Sequence, residues 1–245
     1  MTHFNSLFIS LFFVIYTSSV ALAQPPVSGV YVTREGTLTL NISKDRTSSF
    51  KIGTIGANAH YCLLEGTIQG NTGYATTENT SDPKCLVLFT SEQNGINVST
   101  PTEDACRNFC GARAWFEDVY LLPPTACGLS ERKATQKTFL SEYRSKNYTH
   151  AYDTLNSMYH KCQNLLHWKE LDSVRNDLAI TQFHLGHKDV CLDILKDTIG
   201  ARQTNEEMLN QSLPPSDFDS YLPIAEATWH NLNLCGKYQK KQIKK

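Results

Sequence analysis

The chain of 245 residues has no surplus of either charge: 23 Lys and Arg stand against 24 Asp and Glu, a formal −1. That balance removes the broad positive field that holds nucleic acid or anionic membranes, and equally the acidic excess that keeps chains unfolded. After residue 23 no stretch approaches the ~20 apolar residues of a membrane-spanning helix, so no integral membrane segment is expected in the mature chain. Glycine (13) and proline (9) are too sparse for a collagen-like or low-complexity chain. The sequence also lacks a Gly-x-Ser-x-Gly elbow, a His-Glu-x-x-His helix, a phosphate loop, a dinucleotide fingerprint and any Cys-x-x-Cys pair. No catalytic residue, metal site or cofactor is therefore expected, and nucleic acid is not an expected partner. His184-x-x-His187, with His160 or His167, is the nearest approach to a zinc set, but the pair flanks an expected turn, which favours surface or packing roles. Glu117 and Asp118 are adjacent on an expected strand and point to opposite faces, so they do not form a glycosidase pair.

What is present begins with an export signal. Leu7 to Tyr16 is an apolar core interrupted only by Ser10, and Ala21-Leu22-Ala23 is the small-x-small pattern that signal peptidase accepts. Cleavage after Ala23 would leave Gln24 first, in a periplasmic or secreted protein. Eight cysteines fit that oxidising compartment. Cys62, Cys85, Cys106, Cys110 and Cys127 precede a change in sequence pattern near Gly128, whereas Cys162, Cys191 and Cys235 follow it. Five against three means that full pairing must bridge the two halves. Cys106 and Cys110, four apart on an expected short helix, should reach two different partners rather than each other. The expected pairs are Cys62 with Cys85 and Cys110 with Cys127, leaving Cys106 to cross between halves.

Residues 27–127 read as strands. Thr37 to Ile42 and Phe50 to Ile55 alternate polar and apolar side chains, and Tyr61 to Gln69, Cys85 to Phe89, Ile96 to Ser99 and Trp115 to Leu122 are further strands between glycine-rich turns. Short strands at this spacing suggest an antiparallel barrel or sandwich. From Ser130 the period lengthens to that of helices. Stripes over Phe139 to Tyr143 and Tyr148 to Tyr159 form one hairpin, and Leu171 to Phe183 and Val190 to Leu195 a second. Gly200 is the expected cap of that second hairpin, residues 201–215 a polar loop, and Ser216 the cap of a last helix that Pro223 kinks or restarts. The run Asn176-Asp177-Leu178-Ala179, with Phe183, Gly186 and Cys191-Leu192, resembles a tetratricopeptide helical pair. The expected fold is thus α+β, disulfide-braced: a signal over residues 1–23, a β-barrel or sandwich over 24–128, and a helical-hairpin part over 129–245.

Two segments draw attention as contact surfaces. Thr54 to Gly66 carries Gly56, expected at positive φ, then Asn58, His60 and Tyr61; it reads either as a structural corner, with Asn58 bonded to backbone and His60 packed by a disulfide, or as a rim on which these side chains meet a partner. Cys110 to Glu117 carries Arg113 and Trp115, with Arg113 free to pair with Glu65, with Glu117 or with a partner's carboxylate. Together with Gly29-Val30-Tyr31, the Gly-Ala-Asn-Ala-His-x-Cys-x-Leu-x-Gly and Cys-Arg-x-Phe-Cys-Gly-Ala-Arg-Ala runs resemble a type of secreted bacterial protein similar to small β-barrel inhibitors of lysozyme and other cell-wall hydrolases. The serine–tyrosine loop of periplasmic lysozyme inhibitors is absent. The resemblance implies fold and compartment; export, cysteine bracing, balanced charge and the missing catalytic motifs point to a protein partner such as a peptidoglycan hydrolase or lysozyme. The expectation is an inhibitor or immunity factor that occludes such an enzyme. The alternatives are a small-molecule-binding module of the cell envelope with the barrel interior as its pocket, which an interior filled by Leu40, Ile52, Leu63, Val87 and Phe89 would argue against, and an enzyme acting on cell-wall or carbohydrate substrates.

Overall fold

The computed structural model describes residues 26–43, 48–77 and 83–236. The expected export segment lies outside the described residues. The β half is a closed eight-stranded antiparallel barrel in simple up-and-down order. Its strands are β1 (Gly29–Val32), β2 (Gly36–Asn41), β3 (Ser49–Ile55), β4 (Tyr61–Gln69), β5 (Thr72–Ala75), β6 (Leu86–Glu92), β7 (Gly95–Ser99) and β8 (Asp118–Leu121). Each strand pairs with the next, and Val32 opposite Leu121 joins β1 to β8. Closure leaves no open edge to template aggregation.

Period-2 burial builds the barrel core. Leu38 and Leu40, Phe50 and Ile52, Leu64, Val87 and Phe89, Val98, Phe116 and Tyr120 all point inward and are fully buried. The Phe50 and Phe89 rings meet edge to face at 5.3 Å. A Cβ at Gly73 would stand 2.7 Å from Phe50 and 2.9 Å from Phe89, so only glycine lets both rings fill the centre. The Tyr120 hydroxyl donates to the Phe116 carbonyl at 2.8 Å. Burial, with Asp118 adding to it, pushes that phenol above its ordinary pKa. β5 starts at Thr72, inside residues that read as a turn.

Between β7 and β8 the chain makes α1 (Glu103–Cys106) and a tight turn over Arg107–Phe109. The helical half follows: α2 (Leu129–Arg144), α3 (Tyr148–Cys162), α4 (Trp168–His184), α5 (Lys188–Leu195), α6 (Ile199–Arg202), α7 (Glu206–Ser212) and α8 (Pro215–Leu234). α2/α3 and α4/α5 are the two expected hairpins. Phe139, Ala151, Leu155, Met158, Val174 and Leu178 form the first core. Gly200 does not cap a helix. It lies inside α6, buried against Ala225 and Thr228. The loop expected over 201–215 contains α7. Pro223 lies inside α8, which runs on through it. α4 and α8 share a buried polar seam: Asn176 Nδ2 donates to the Ile224 carbonyl (3.1 Å) and to Thr228 Oγ1 (2.9 Å), and Tyr221 donates to Asp172 (2.7 Å). Buried amides and carboxylates placed this way fix helix register because any slip strands them without partners.

All eight cysteines pair: Cys62–Cys110, Cys85–Cys106, Cys127–Cys162 and Cys191–Cys235. The expected Cys62–Cys85 and Cys110–Cys127 pairs do not form, and Cys106 does not cross between halves. Cys110 lies beside Cys62 as an isolated bridge next to β4, and Cys85, just before β6, lies beside α1. Cys106 and Cys110 do reach two different partners. Cys127 packs in the helical core with Cys162, so four cysteines brace the barrel and four brace the helices.

Candidate functional site: the β3–β4 face and its buttress

The two segments singled out in the sequence lie side by side. β3 ends at Ile55, residues 56–60 make a tight loop, and β4 starts at Tyr61. Gly56 has φ −104°, not the positive value expected. Its need for glycine is steric: a Cβ there would fall 1.9 Å from the Arg113 carbonyl oxygen. The positive φ values belong to Asn58 (59°) and Ala59 (58°). His60 packs on Gly111, where a Cβ would stand 2.6 Å from Nδ1, and the Gly111 N–H donates to the Tyr61 carbonyl at 2.8 Å. Thr54 Oγ1 donates to the Trp115 carbonyl at 2.8 Å. With the Cys62–Cys110 bond, these contacts fasten loop 56–60 to the turn at 111–114.

Asn58 does not stand free on a rim. Its Oδ1 accepts the Ser216 N–H (3.0 Å) and its own N–H donates to Asp217 Oδ2 (2.8 Å), both on the first turn of α8. Ser216 thus does not cap α8 with its hydroxyl. Asp217 Oδ1 also accepts from Lys169 Nζ at 2.8 Å, and Lys169 donates to Ser220 Oγ at 2.6 Å. Burial raises the Asp217 pKa, but the Asn58 N–H, the Lys169 ammonium and His167 outweigh it, and the carboxyl sits below its ordinary value. Nearby, His167 Nε2 lies 3.5 Å from Glu35, and Arg34 Nε donates to the Asn164 carbonyl at 3.2 Å. The helical half therefore buttresses the barrel loop.

Arg113 is exposed and pairs with neither carboxylate foreseen for it. Glu65 takes Lys51 at 3.6 Å, and Glu117 takes the Trp115 indole N–H and the Thr100 amide, each at 2.7 Å. The Arg107 guanidinium covers the Trp115 ring, 4.1 Å from its centroid. Trp115 is half-buried in that stack; Tyr61 is exposed.

Tyr61 belongs to an apolar cluster that the sequence reading missed in part. Ile55 is 56% exposed, Tyr61 59% and Leu63 54%. Ile55 lies directly opposite Tyr61 in the β3–β4 register, and Gly53 opposite Leu63 leaves a dent between them. Two shallow cavities flank Tyr61. One of about 450 Å³ is lined by Gly53, Thr54, Ile55, Ala59 and Leu63; the other, about 410 Å³, by Asn58, His60, Asn108 and Phe109. Leu63 was expected inside the barrel, yet Cys62 and Leu64 take the inward positions. That phase was readable, because Cys62 and Leu64 alternate with Leu63 and Glu65.

The barrel centre is filled by side chains, with Leu40, Ile52, Val87 and Phe89 all buried. A cavity of about 730 Å³ lies instead where the β6–β7 turn and the end of β8 meet the end of α3. Tyr31, Leu121, Leu122 and Leu165 line it, with Glu92, Asn94 and Lys161 among its polar residues. Among the described residues no three His, Cys, Asp or Glu side chains are grouped to hold a metal. His184 stacks on Tyr148 (4.5 Å) and shares a hydrogen bond with Tyr143 (3.0 Å), while His187 shares one with Gln182 (2.7 Å). No helix among the described residues is long and apolar enough to cross a membrane.

Comparison with protein families, with curated proteins and with solved structures found no match.

Proposed function

We propose that this chain is an exported protein-binding inhibitor or immunity factor that blocks a cell-wall-degrading enzyme by steric occlusion, with the β3–β4 face as its contact surface. The observation that carries the reading is the Ile55–Tyr61–Leu63 cluster, three large apolar side chains each more than half exposed on a cross-braced barrel. A contiguous apolar patch on a rigid surface is the usual mark of a docking site. Fully burying each side chain would stabilise a complex by about 1.5–3 kcal/mol. Arg113, on the turn fastened against the loop, is free to meet a carboxylate of the partner. Four disulfides fit an oxidising compartment, and the reading places the chain in the periplasm or outside the cell.

The test is inhibition. Purified chain is added to a panel of muramidases, amidases and glucosaminidases acting on labelled cell walls. At least one enzyme should slow in its presence, and Leu63→Asp should abolish the effect while leaving the fold intact by circular dichroism. Unchanged lysis rates across the panel, with no hydrolase retained on immobilised chain, would discard the reading. The 730 Å³ cavity favours a second reading, a small-molecule module of the cell envelope. Its ligand would lie at the junction of the two halves, outside the filled barrel.

A further inference from the structure

The whole chain is close to neutral, with 23 Lys and Arg against 24 Asp and Glu, a formal −1. Against that balance one helix face is positive. Lys133, Lys137 and Arg144 are exposed along α2, and none makes an ion pair among the described residues. They fall at helical spacings of four and seven, so they share one stripe of about 16 Å at 1.5 Å per residue. Leu140, 37% exposed, sits between them. With Gln136, Ser141 and Ser145 these residues line a shallow groove of about 620 Å³.

The neighbouring acids are turned away from it. Glu142 holds Asn147 (2.8 Å) and faces His150 (3.6 Å), and Glu131 takes the Ser130 hydroxyl (2.7 Å). Glu170 pairs with Arg132. Asp177, on α4 behind the stripe, is half-buried and takes Gln136 Nε2 at 2.7 Å. Three exposed cations with no ion-pair partner among the described residues are a local feature with a complement of the opposite sign.

We propose that the α2 stripe docks an extended acidic peptide segment of a partner protein, at a surface separate from the β3–β4 face. An extended chain advances about 3.3 Å per residue, so about five residues span the stripe. Carboxylates two and then three residues apart would match Lys133, Lys137 and Arg144, with an apolar side chain between the last two to cover Leu140. That apolar element favours a peptide over an anionic polymer, which has the charge but nothing to lay on leucine. Exposed ion pairs are individually weak, so the isolated segment binds weakly and adds to contacts made elsewhere.

The full chain, labelled with nitrogen-15, is titrated with the blocked peptide Glu-Ser-Glu-Leu-Ser-Glu at low salt and followed by amide shifts. Saturable shifts confined to residues 133–146 are expected. The K137E/R144E variant should weaken binding by about tenfold or more, a change of about 1.4 kcal/mol, whereas K188E on α5 should leave it unchanged. If charge reversal disturbs the fold, K137Q/R144Q is the milder variant, with a smaller loss in the same direction. No saturable shift, or equal binding by all variants, would overturn the proposal. Binding of polyphosphate at the stripe without binding of the peptide would overturn it too, and would assign the face to an anionic polymer.

Discussion

Asp217→Ala should be the single substitution that most loosens the barrel from the helices. The Asp217 side chain is 10% exposed and that of Lys169 22%. Its carboxylate accepts the Asn58 N–H and the Lys169 ammonium, each at 2.8 Å. Truncating one member of a buried charge pair costs about 3–5 kcal/mol. Lys169 keeps Ser220 and some solvent, which brings the expected loss to about 2–3 kcal/mol, or about 5–10 °C in Tm for a domain of this size. Urea denaturation of the purified oxidised chain reads the loss, and hydrogen exchange localises it. The Asn58 amide should exchange much faster in the variant while the β6–β7 amides do not change. Asn58→Ala combined with Asp217→Ala should cost less than the two single losses added together, because both act through one contact. The Asp217 pKa is lowered in the folded protein, so its stabilisation is complete above the unfolded value of 3.8 and fades as pH falls through the lower folded value. The gap between wild type and variant should therefore close in strong acid. A loss under about 0.5 kcal/mol at neutral pH, in the range of ordinary surface substitutions, would refute the buttress.

Three further outcomes are expected. Removing the Cys127–Cys162 bond by paired serine substitutions, across a sequence separation of 35, should cost about 3–4 kcal/mol by chain entropy, read as an earlier denaturation midpoint. Peptide mapping without reductant should recover that pair and Cys62–Cys110, Cys85–Cys106 and Cys191–Cys235; finding Cys62 joined to Cys85 would contradict the barrel geometry. Burial raises the Asp177 pKa against the lowering effect of Gln136, so ionising it in the fold has a cost that appears as pH rises above 3.8. Asp177→Asn should accordingly raise Tm at pH 7 and leave it nearly unchanged at pH 3, as measured by calorimetry.

Much of the architecture was legible because it is written in local alternation. β2, β3, β4 and β7 each keep a period of two long enough to be read, and α2 to α5 keep the helical period. β5 was not legible: Thr72-Gly73-Tyr74-Ala75 is four residues long, and its glycine is there for the Phe50 and Phe89 rings rather than for a turn. The same confusion attached to Gly56 and Gly200, both kept small by close neighbours and neither a conformational hinge. That Cys106 and Cys110 must part company followed from helix geometry. Their partners did not follow, because Cys62 and Cys85 come into place only when the barrel closes. The site shows the same limit. Asn58 and Tyr61 stood out as chain chemistry, but the bond from Asn58 to Ser216 spans 158 residues and has no local signal. Leu63 was misplaced although Cys62 and Leu64 fixed its outward phase.

Photo-crosslinking tests the central claim, a rigid barrel face that docks a protein, most directly. A benzophenone side chain replaces Tyr61 in one variant and Val119, exposed on β8, in another, and each is expressed in its native host and irradiated. The account predicts a discrete adduct containing a cell-wall hydrolase from position 61 and none from position 119. No adduct at position 61, or the same adducts from both positions, would contradict it.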